Sequence, residues 1–261
     1  MSKTFDILNQ KSIALISGLH RNLRTIVVAW IVAMSFACGL RLAFSATHLD
    51  FGWAAAVAIL PYFLVIAAPV AALFLLLRIF PANGLFAQPE IRLARYGKWR
   101  ELNCLEASSH PLFGTTGMMA SLVIGMLINV PFRSVEFLMG IPALGSHPPL
   151  WFSDLFTLMA ADLVIMNCLY VAAFVMAIRH VPLFPRFLLM VWGLDVCSQL
   201  VIAQMVAATP NVPAAVEAAL SGLLTGNLQK VMISATIWLP YLLLSDRVNL
   251  TYRRRVRVRV G

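Results

Sequence analysis

Long apolar stretches separated by short polar ones dominate the pattern of hydrophobic and polar positions along this chain. A helix needs about 20 mostly apolar residues to cross about 30 Å of hydrocarbon. Six stretches reach that length. They cover residues 25–45, 52–80, 112–138, 154–178, 184–208 and 218–244. The pattern therefore predicts an all-α fold, a polytopic transmembrane helical bundle of about six spans.

The polar segments divide the chain into five predicted parts. These are a cytoplasmic or interfacial N-terminal segment (1–24), a two-span hairpin (25–80), a basic cytoplasmic loop (81–111), a four-span core (112–246) and a basic cytoplasmic tail (247–261). The first part lacks a short apolar core followed by a small-residue cleavage site, so we expect no cleaved signal peptide. In the basic loop, turn residues come first, and a short amphipathic helix is predicted over 90–107.

Composition supports the membrane prediction. Hydrophobic residues make up 61% of the chain and charged residues 12%, whereas soluble domains carry about 25% charged residues. The net charge is +9, but the basic residues form short clusters between apolar stretches, as topology signals do. We therefore expect no nucleic-acid partner.

The distribution of Lys and Arg predicts the orientation. The loops at 46–51, 140–153 and 209–217 contain neither residue. The N-terminal segment, the loop 81–111 and the tail are rich in both. Because cytoplasmic loops are enriched in Lys and Arg, both termini are predicted to be cytoplasmic.

The last apolar stretch ends in a distinctive motif. Residues 237–252 read I-W-L-P-Y-L-L-L-S-D-R-V-N-L-T-Y. This resembles the ending P-Y-[FL]-x-x-S-x-R-V-K-x-T-F of a bacterial inner-membrane family known as domain of unknown function 2569. The matching residues are Pro240, Tyr241, Ser245, Arg247, Val248 and Thr251. The F-P-R sequence that starts at Phe184 is also similar to the family. The resemblance covers 112–252 and implies a bacterial inner-membrane location and a multi-pass architecture, without an activity.

The same motif has two physical interpretations. Pro240 removes a backbone donor and kinks the span, Tyr241 suits the membrane interface, and Arg247 ends the span at the headgroups. It is then a membrane-exit signal. The alternative is a dedicated binding role.

Charged side chains inside apolar spans are costly and often functional. Arg41, Asp162 and Lys230 each lie 17 residues from a cytoplasmic arginine, which places them about 25 Å deep at 1.5 Å per residue. We therefore expect Asp162 and Lys230, with Arg41, to form one ion-pair cluster.

Asp195 lies nine residues beyond Arg186, about 14 Å deep and near the bilayer centre. No cation is expected at its level, so Asn167 or Tyr170 is predicted to bond it, with Gln199 slightly further along the same helix. A central carboxyl of this kind suits a proton-coupled step. The alternative is that these polar groups only fix the packing of the helices.

Two further groups of residues have local interpretations. Arg133 and Glu136 lie three residues apart near the outer end of the third span, where they are expected to form an interfacial pair. Gly117, Ser121 and Gly125 repeat every four residues, which predicts close approach of a neighbouring helix.

The arginine-rich tail is a candidate binding surface. Its arginines are Arg253, Arg254, Arg255, Arg257 and Arg259. They are expected to bind anionic lipid headgroups, each contributing about 1 kcal/mol near the surface, or an acidic partner. The remaining interpretation is a topology anchor with a disordered end.

Recognised catalytic, metal and cofactor motifs are absent from the sequence, so we expect no catalytic residues, no metal and no cofactor. The leading hypothesis is a non-enzymatic accessory or assembly subunit of a membrane complex with protein partners in the membrane. The first alternative is a small proton-coupled transporter or channel that uses Asp195, Asp162 and Lys230. The second is a lipid-acting membrane enzyme with Arg133, Glu136 and His147 near the outer interface.

Overall fold

The computed structural model describes residues 2–44, 53–82, 84, 86–90, 93, 97–144, 148–210 and 212–258, with the backbone alone for 2–9, 20, 53–57 and 215. These ranges form nine helices and two short strands. The helices are α1 (Ser2–Arg21), α2 (Leu23–Ala43), α3 (Trp53–Ile79), α4 (Cys104–Ser109), α5 (Met118–Gly140), α6 (Leu150–Ile178), α7 (Phe184–Ala208), α8 (Ala214–Leu244) and α9 (Asp246–Arg253). The strands are β1 (Trp99–Glu101) and β2 (Arg255–Arg257).

The helices are those of a multi-pass membrane protein. Five of them, α2, α3, α5, α6 and α7, are long and apolar enough to cross a membrane. A sixth span is present if α8 and α9, which meet at an angle of 71°, are counted as one bent segment. The prediction of an all-α bundle with about six spans is therefore confirmed.

Helix α6 lies at the centre of the bundle and packs against α3, α5 and α7. Its last two turns are apolar on every side, and every residue from Tyr170 to Ile178 is buried. Helix α8 packs against α7 and α5. Helix α2 lies more loosely over α3 and α5, and among its described residues only Val27, Met34 and Cys38 are buried. The bundle thus has a tight centre and a loosely attached α2.

The motif at the end of α8 makes contacts that hold several segments of the chain together. Helix α8 continues through Pro240 and ends at Ser245, where the chain turns into α9. Thr251 Oγ1 accepts a hydrogen bond from the Gly114 backbone N–H (3.0 Å). Tyr252 donates its hydroxyl to the Ala177 carbonyl (3.0 Å) and stacks on Phe184, with ring centroids 4.9 Å apart. The motif therefore does more than end a span, because it joins α9 to α6, α7 and the loop before α5.

The tail folds back on the basic loop instead of remaining open. Strand β2 pairs antiparallel with β1. Asn249 is fully buried, and its Oδ1 accepts from Arg253 Nη1 (2.9 Å) and from Arg255 Nη2 (2.7 Å). Arg254 donates to the Phe86 carbonyl (3.1 Å). Burying charged donors requires such acceptors.

These contacts correct the binding surface predicted for the tail. Arg253 and Arg255 are buried, so they are not available as part of an open lipid-binding or partner-binding patch. Arg257 is exposed, with its guanidinium 5.6 Å from the Trp99 ring centroid. Arg259 lies outside the described residues.

Two other local predictions are wrong. Residues 97–109 form β1 and α4, so no single helix runs through 90–107. Gly117 caps the start of α5 with φ of +65°, and a Cβ at Gly125 would meet nothing within 4 Å. Ser121 is exposed and donates to the Met118 carbonyl (2.7 Å). Among the described residues, a neighbouring helix comes close only at Gly117, whose backbone N–H donates to Ser12 Oγ of α1 (2.8 Å), so the three positions do not form one packing face.

We predict that Asn249→Ala destabilises the protein, because two buried arginines lose their shared acceptor. The expected cost is about 1–3 kcal/mol, read as a lower thermal midpoint in detergent. Asn22→Ala is the matched control, since Asn22 is exposed and makes no capping bond. Equal midpoints for the two variants would contradict the role given to Asn249.

Candidate functional site

Three charged side chains meet in the interior of the bundle. Arg133 of α5 donates from Nη1 to Asp195 Oδ1 (2.8 Å) and Oδ2 (2.9 Å). Its Nη2 donates to Asp162 Oδ2 (3.0 Å). Asp195 is fully buried, while Arg133 and Asp162 are 7% and 12% exposed. We call these three residues the Arg133 cluster.

Neutral side chains complete the hydrogen bonding of this cluster. Tyr170 donates its hydroxyl to Asp195 Oδ2 (2.8 Å). Gln199 donates to Asp162 Oδ2 (3.2 Å), and Asn227 donates to the Gln199 side-chain oxygen (3.3 Å). The site therefore draws on α5, α6, α7 and α8. Buried polar groups in an apolar interior need such partners, because an unsatisfied one costs several kcal/mol in lipid.

Helical spacing explains why these side chains converge. Asp195 and Gln199 are four residues apart on α7, so they project from one face. Asp162 and Tyr170 are eight residues apart on α6, about two turns, and share a face as well. Arg133 reaches across from α5, and its planar fork can serve two carboxylates at once.

The observed pairing differs from the pairs predicted from sequence. Asp162 pairs with Arg133 and not with Lys230. Lys230 pairs with Glu136, with Lys230 54% exposed, so the predicted Arg133–Glu136 pair is also wrong. Arg41 donates to the Ile141 carbonyl (2.8 Å) at the end of α5 and takes no part in the cluster.

Asp195 does have a cation at its level, contrary to the prediction. Of its two predicted partners, Tyr170 bonds it, whereas Asn167 donates instead to Ser134 Oγ (2.9 Å). The third span was expected to end at residue 138, which put Arg133 at the interface. The observed α5 ends at Gly140, so Arg133 lies about 10 Å inside that end, and its long side chain extends further.

The Arg133 cluster contains more negative than positive groups. Two carboxylates share one guanidinium, and no other Lys or Arg of the described residues is paired with either carboxylate. Asp195 has both oxygens engaged. Asp162 accepts both of its bonds on Oδ2. With all three side chains ionised, the cluster carries one uncompensated negative charge.

Two cavities lined by both polar and apolar side chains flank the cluster. The first, the Asn129 cavity, has a volume of about 110 Å³, and Lys230, Ser234 and Tyr170 are among its lining residues. The second, the Gln199 cavity, has a volume of about 20 Å³ and is lined by Asp162 and Glu136 among others.

Arg133 and Asn227 line both cavities. About 10–15 Å³ is enough for one water, so both cavities can be hydrated. Arg133 therefore lies between two cavities, each large enough for at least one water.

Asn227 was not identified as a site residue from the sequence, although the sequence contains an indication of its role. An amide inside an otherwise apolar span needs a buried partner, and its spacing of three residues from Lys230 puts both on one face of α8. Its partner, Gln199, could not be identified without knowing how α7 packs on α8.

No family model, no curated protein and no solved structure matches this chain. The resemblance to domain of unknown function 2569 stays a prediction. Among the described residues, no group of three or more His, Cys, Asp or Glu side chains is placed to hold a metal ion.

We predict that Arg133→Gln strongly destabilises the bundle, because it leaves two carboxylates close together without a cation. Removing one partner of a buried pair costs about 3–5 kcal/mol. Arg24→Gln is the control, since Arg24 is exposed near the start of α2. Thermal unfolding in one detergent compares the two variants, and an Arg133 variant as stable as the Arg24 variant would refute the role of the cluster.

Proposed function

We propose that this chain is a small proton-coupled transporter or channel in which the Arg133 cluster holds the exchangeable proton. One observation supports this above the others: a single guanidinium is shared by the buried Asp195 and the largely buried Asp162, and it lies between two cavities. This selects the first alternative of the sequence analysis. It changes the residues involved, since Arg133 replaces Lys230.

The charge imbalance is the physical basis for proton binding. An uncompensated charge in a membrane interior costs several kcal/mol. Two nearby carboxyl groups avoid that cost when one of them takes up a proton. The Arg133 cluster is thus neutral with one proton bound and becomes negative when that proton leaves.

Asp162 is the carboxyl that we propose exchanges the proton. Asp195 is held through both oxygens and has no exposed surface. Asp162 leaves Oδ1 without a hydrogen bond from the described residues and lines the Gln199 cavity. Water reaches Asp162 before it reaches Asp195, so proton transfer to solvent passes through Asp162.

Arg133 is the element that we propose separates the two sides. It forms a wall of both cavities. Its hydrogen bond to Asp162 becomes weaker when that carboxyl is protonated, because a neutral carboxyl attracts the guanidinium less. Protonation therefore frees Arg133 to shift toward Asp195. Such a shift would connect the cluster to the Asn129 cavity and to the Gln199 cavity one after the other.

We also propose a location in a bacterial inner membrane, with both termini cytoplasmic. The location rests on the family resemblance. The orientation rests on the basic residues, which are absent from the loops 140–153 and 209–217. In this orientation the Asn129 cavity faces the cytoplasmic half of the bundle, since its α5 lining residues precede Arg133.

The other two hypotheses remain proposals with less support from the site. The lipid-acting enzyme assigned roles to Glu136 and His147. Glu136 is paired with Lys230, and His147 lies outside the described residues. The absence of enzymatic activity stays a prediction. The accessory-subunit role, with protein partners in the membrane, has no contact of its own that favours it.

Proton movement tests the proposal. Purified protein in liposomes loaded with a pH-sensitive dye should dissipate an imposed pH gradient under a potassium diffusion potential. Asp162→Asn should reduce the rate to that of empty liposomes, because an amide cannot carry the proton. Asp154→Asn is the control and should retain the rate, because Asp154 is exposed at the start of α6 and lines neither cavity. Unchanged proton movement in Asp162→Asn would reject Asp162 as the carrier.

Copurification tests the accessory-subunit alternative. The tagged chain is extracted into native nanodiscs and its companions are identified by mass spectrometry. We expect no stoichiometric protein partner. A partner present at equal stoichiometry in independent preparations would favour the subunit role over the transporter.

A further inference from the structure

An apolar groove runs between α2 and α5 on the lipid-facing side of the bundle. Its larger part has a volume of about 480 Å³ and is almost entirely apolar, with Trp30, Pro69 and Leu127 among its walls. A second part of about 300 Å³ continues it. Ala37 and Val135 line both parts. The two cavities therefore follow one another along the same pair of helices.

The groove ends at a cation. Arg41, in the last turn of α2, lines the smaller part. Its Nη2 donates to the Ile141 carbonyl, while its buried Nε has no hydrogen-bond partner among the described residues. The nearby Tyr62 hydroxyl is buried and equally without a partner there. This corner of the bundle thus contains two buried polar groups that have no partner among the described residues.

The dimensions fit one acyl chain. From Ile26 to Arg41 the groove follows α2 for about 22 Å at 1.5 Å per residue, longer than the roughly 15 Å of hydrocarbon in one leaflet. Its volume lies within the range of about 300–1,000 Å³ that is usual for small-molecule sites. Arg41 lies in the last turn of α2, at the end of its membrane-spanning stretch. Lipid headgroups lie at that level, and long basic side chains reach toward them.

We propose that this groove binds one anionic phospholipid, with an acyl chain between α2 and α5 and the headgroup phosphate on Arg41. An apolar groove that ends at a single guanidinium complements one acyl chain of a lipid together with its acceptor-only phosphate group. A phosphate oxygen would accept a charge-assisted hydrogen bond from the Arg41 guanidinium, which among the described residues donates only to the Ile141 carbonyl. The loosely packed α2 is the element whose attachment such a lipid would strengthen.

Native mass spectrometry of the whole protein in detergent, titrated with palmitoyl-oleoyl phosphatidylglycerol, tests this site. We expect one retained lipid per chain. Arg41→Gln should raise the dissociation constant about tenfold, as expected for the loss of a charge-assisted hydrogen bond. Arg24→Gln, at the opposite end of α2 and exposed, should change it less than about twofold.

A second pair of variants tests the groove without touching Arg41. Val135→Trp fills the space where the two cavities meet and should abolish retention of the lipid. Val32→Trp places the same side chain on the outward face of α2, at a residue 64% exposed, and should retain it. Inorganic phosphate alone should not compete, because it lacks the acyl chain.

Three results would overturn the proposal. One is equal affinity in Val135→Trp and in the wild-type protein. Another is full displacement of the lipid by inorganic phosphate. The last is a protein dimer whose formation Val135→Trp blocks, which would make the groove a contact between two copies of the chain.

Discussion

The attraction between one guanidinium and two carboxylates, in surroundings that exclude most water, is the interaction on which the bundle depends. Arg133 holds α5 against α6 through Asp162 and against α7 through Asp195. In a low-dielectric interior such pairs are strong, but they are also costly to form. The cluster therefore stabilises only the arrangement in which all three side chains meet, and it fixes the register of three helices at once.

The two ends of the bundle are organised by different means. At one end, α9 and β2 fold back and bind the basic loop, the start of α5 and the end of α6 through hydrogen bonds. On the lipid-facing side, α2 has few buried residues and leaves an apolar groove. A tightly packed centre with a loosely attached peripheral helix is compatible with the proposed change of charge in the Arg133 cluster.

The sequence allowed the long helices to be predicted, because apolar length alone identifies them. It did not allow the pairing of Asp162, Asp195 and Lys230 to be predicted. A depth counted along each helix ignores the length of the side chain and the error in the helix boundary. These two omissions placed Arg133 too close to the membrane interface. The buried role of Arg253 and Arg255 was equally inaccessible, since it depends on the fold of a loop far away in the chain.

The most direct test of the central claim is an infrared difference titration of the protein in nanodiscs, which detects the carbonyl stretch of a protonated carboxyl. We predict that the proton proposed for the Arg133 cluster gives such a signal, which Asp162→Asn lacks and Glu136→Gln keeps. A signal that is absent from the wild-type protein, or that persists in Asp162→Asn, would contradict the account.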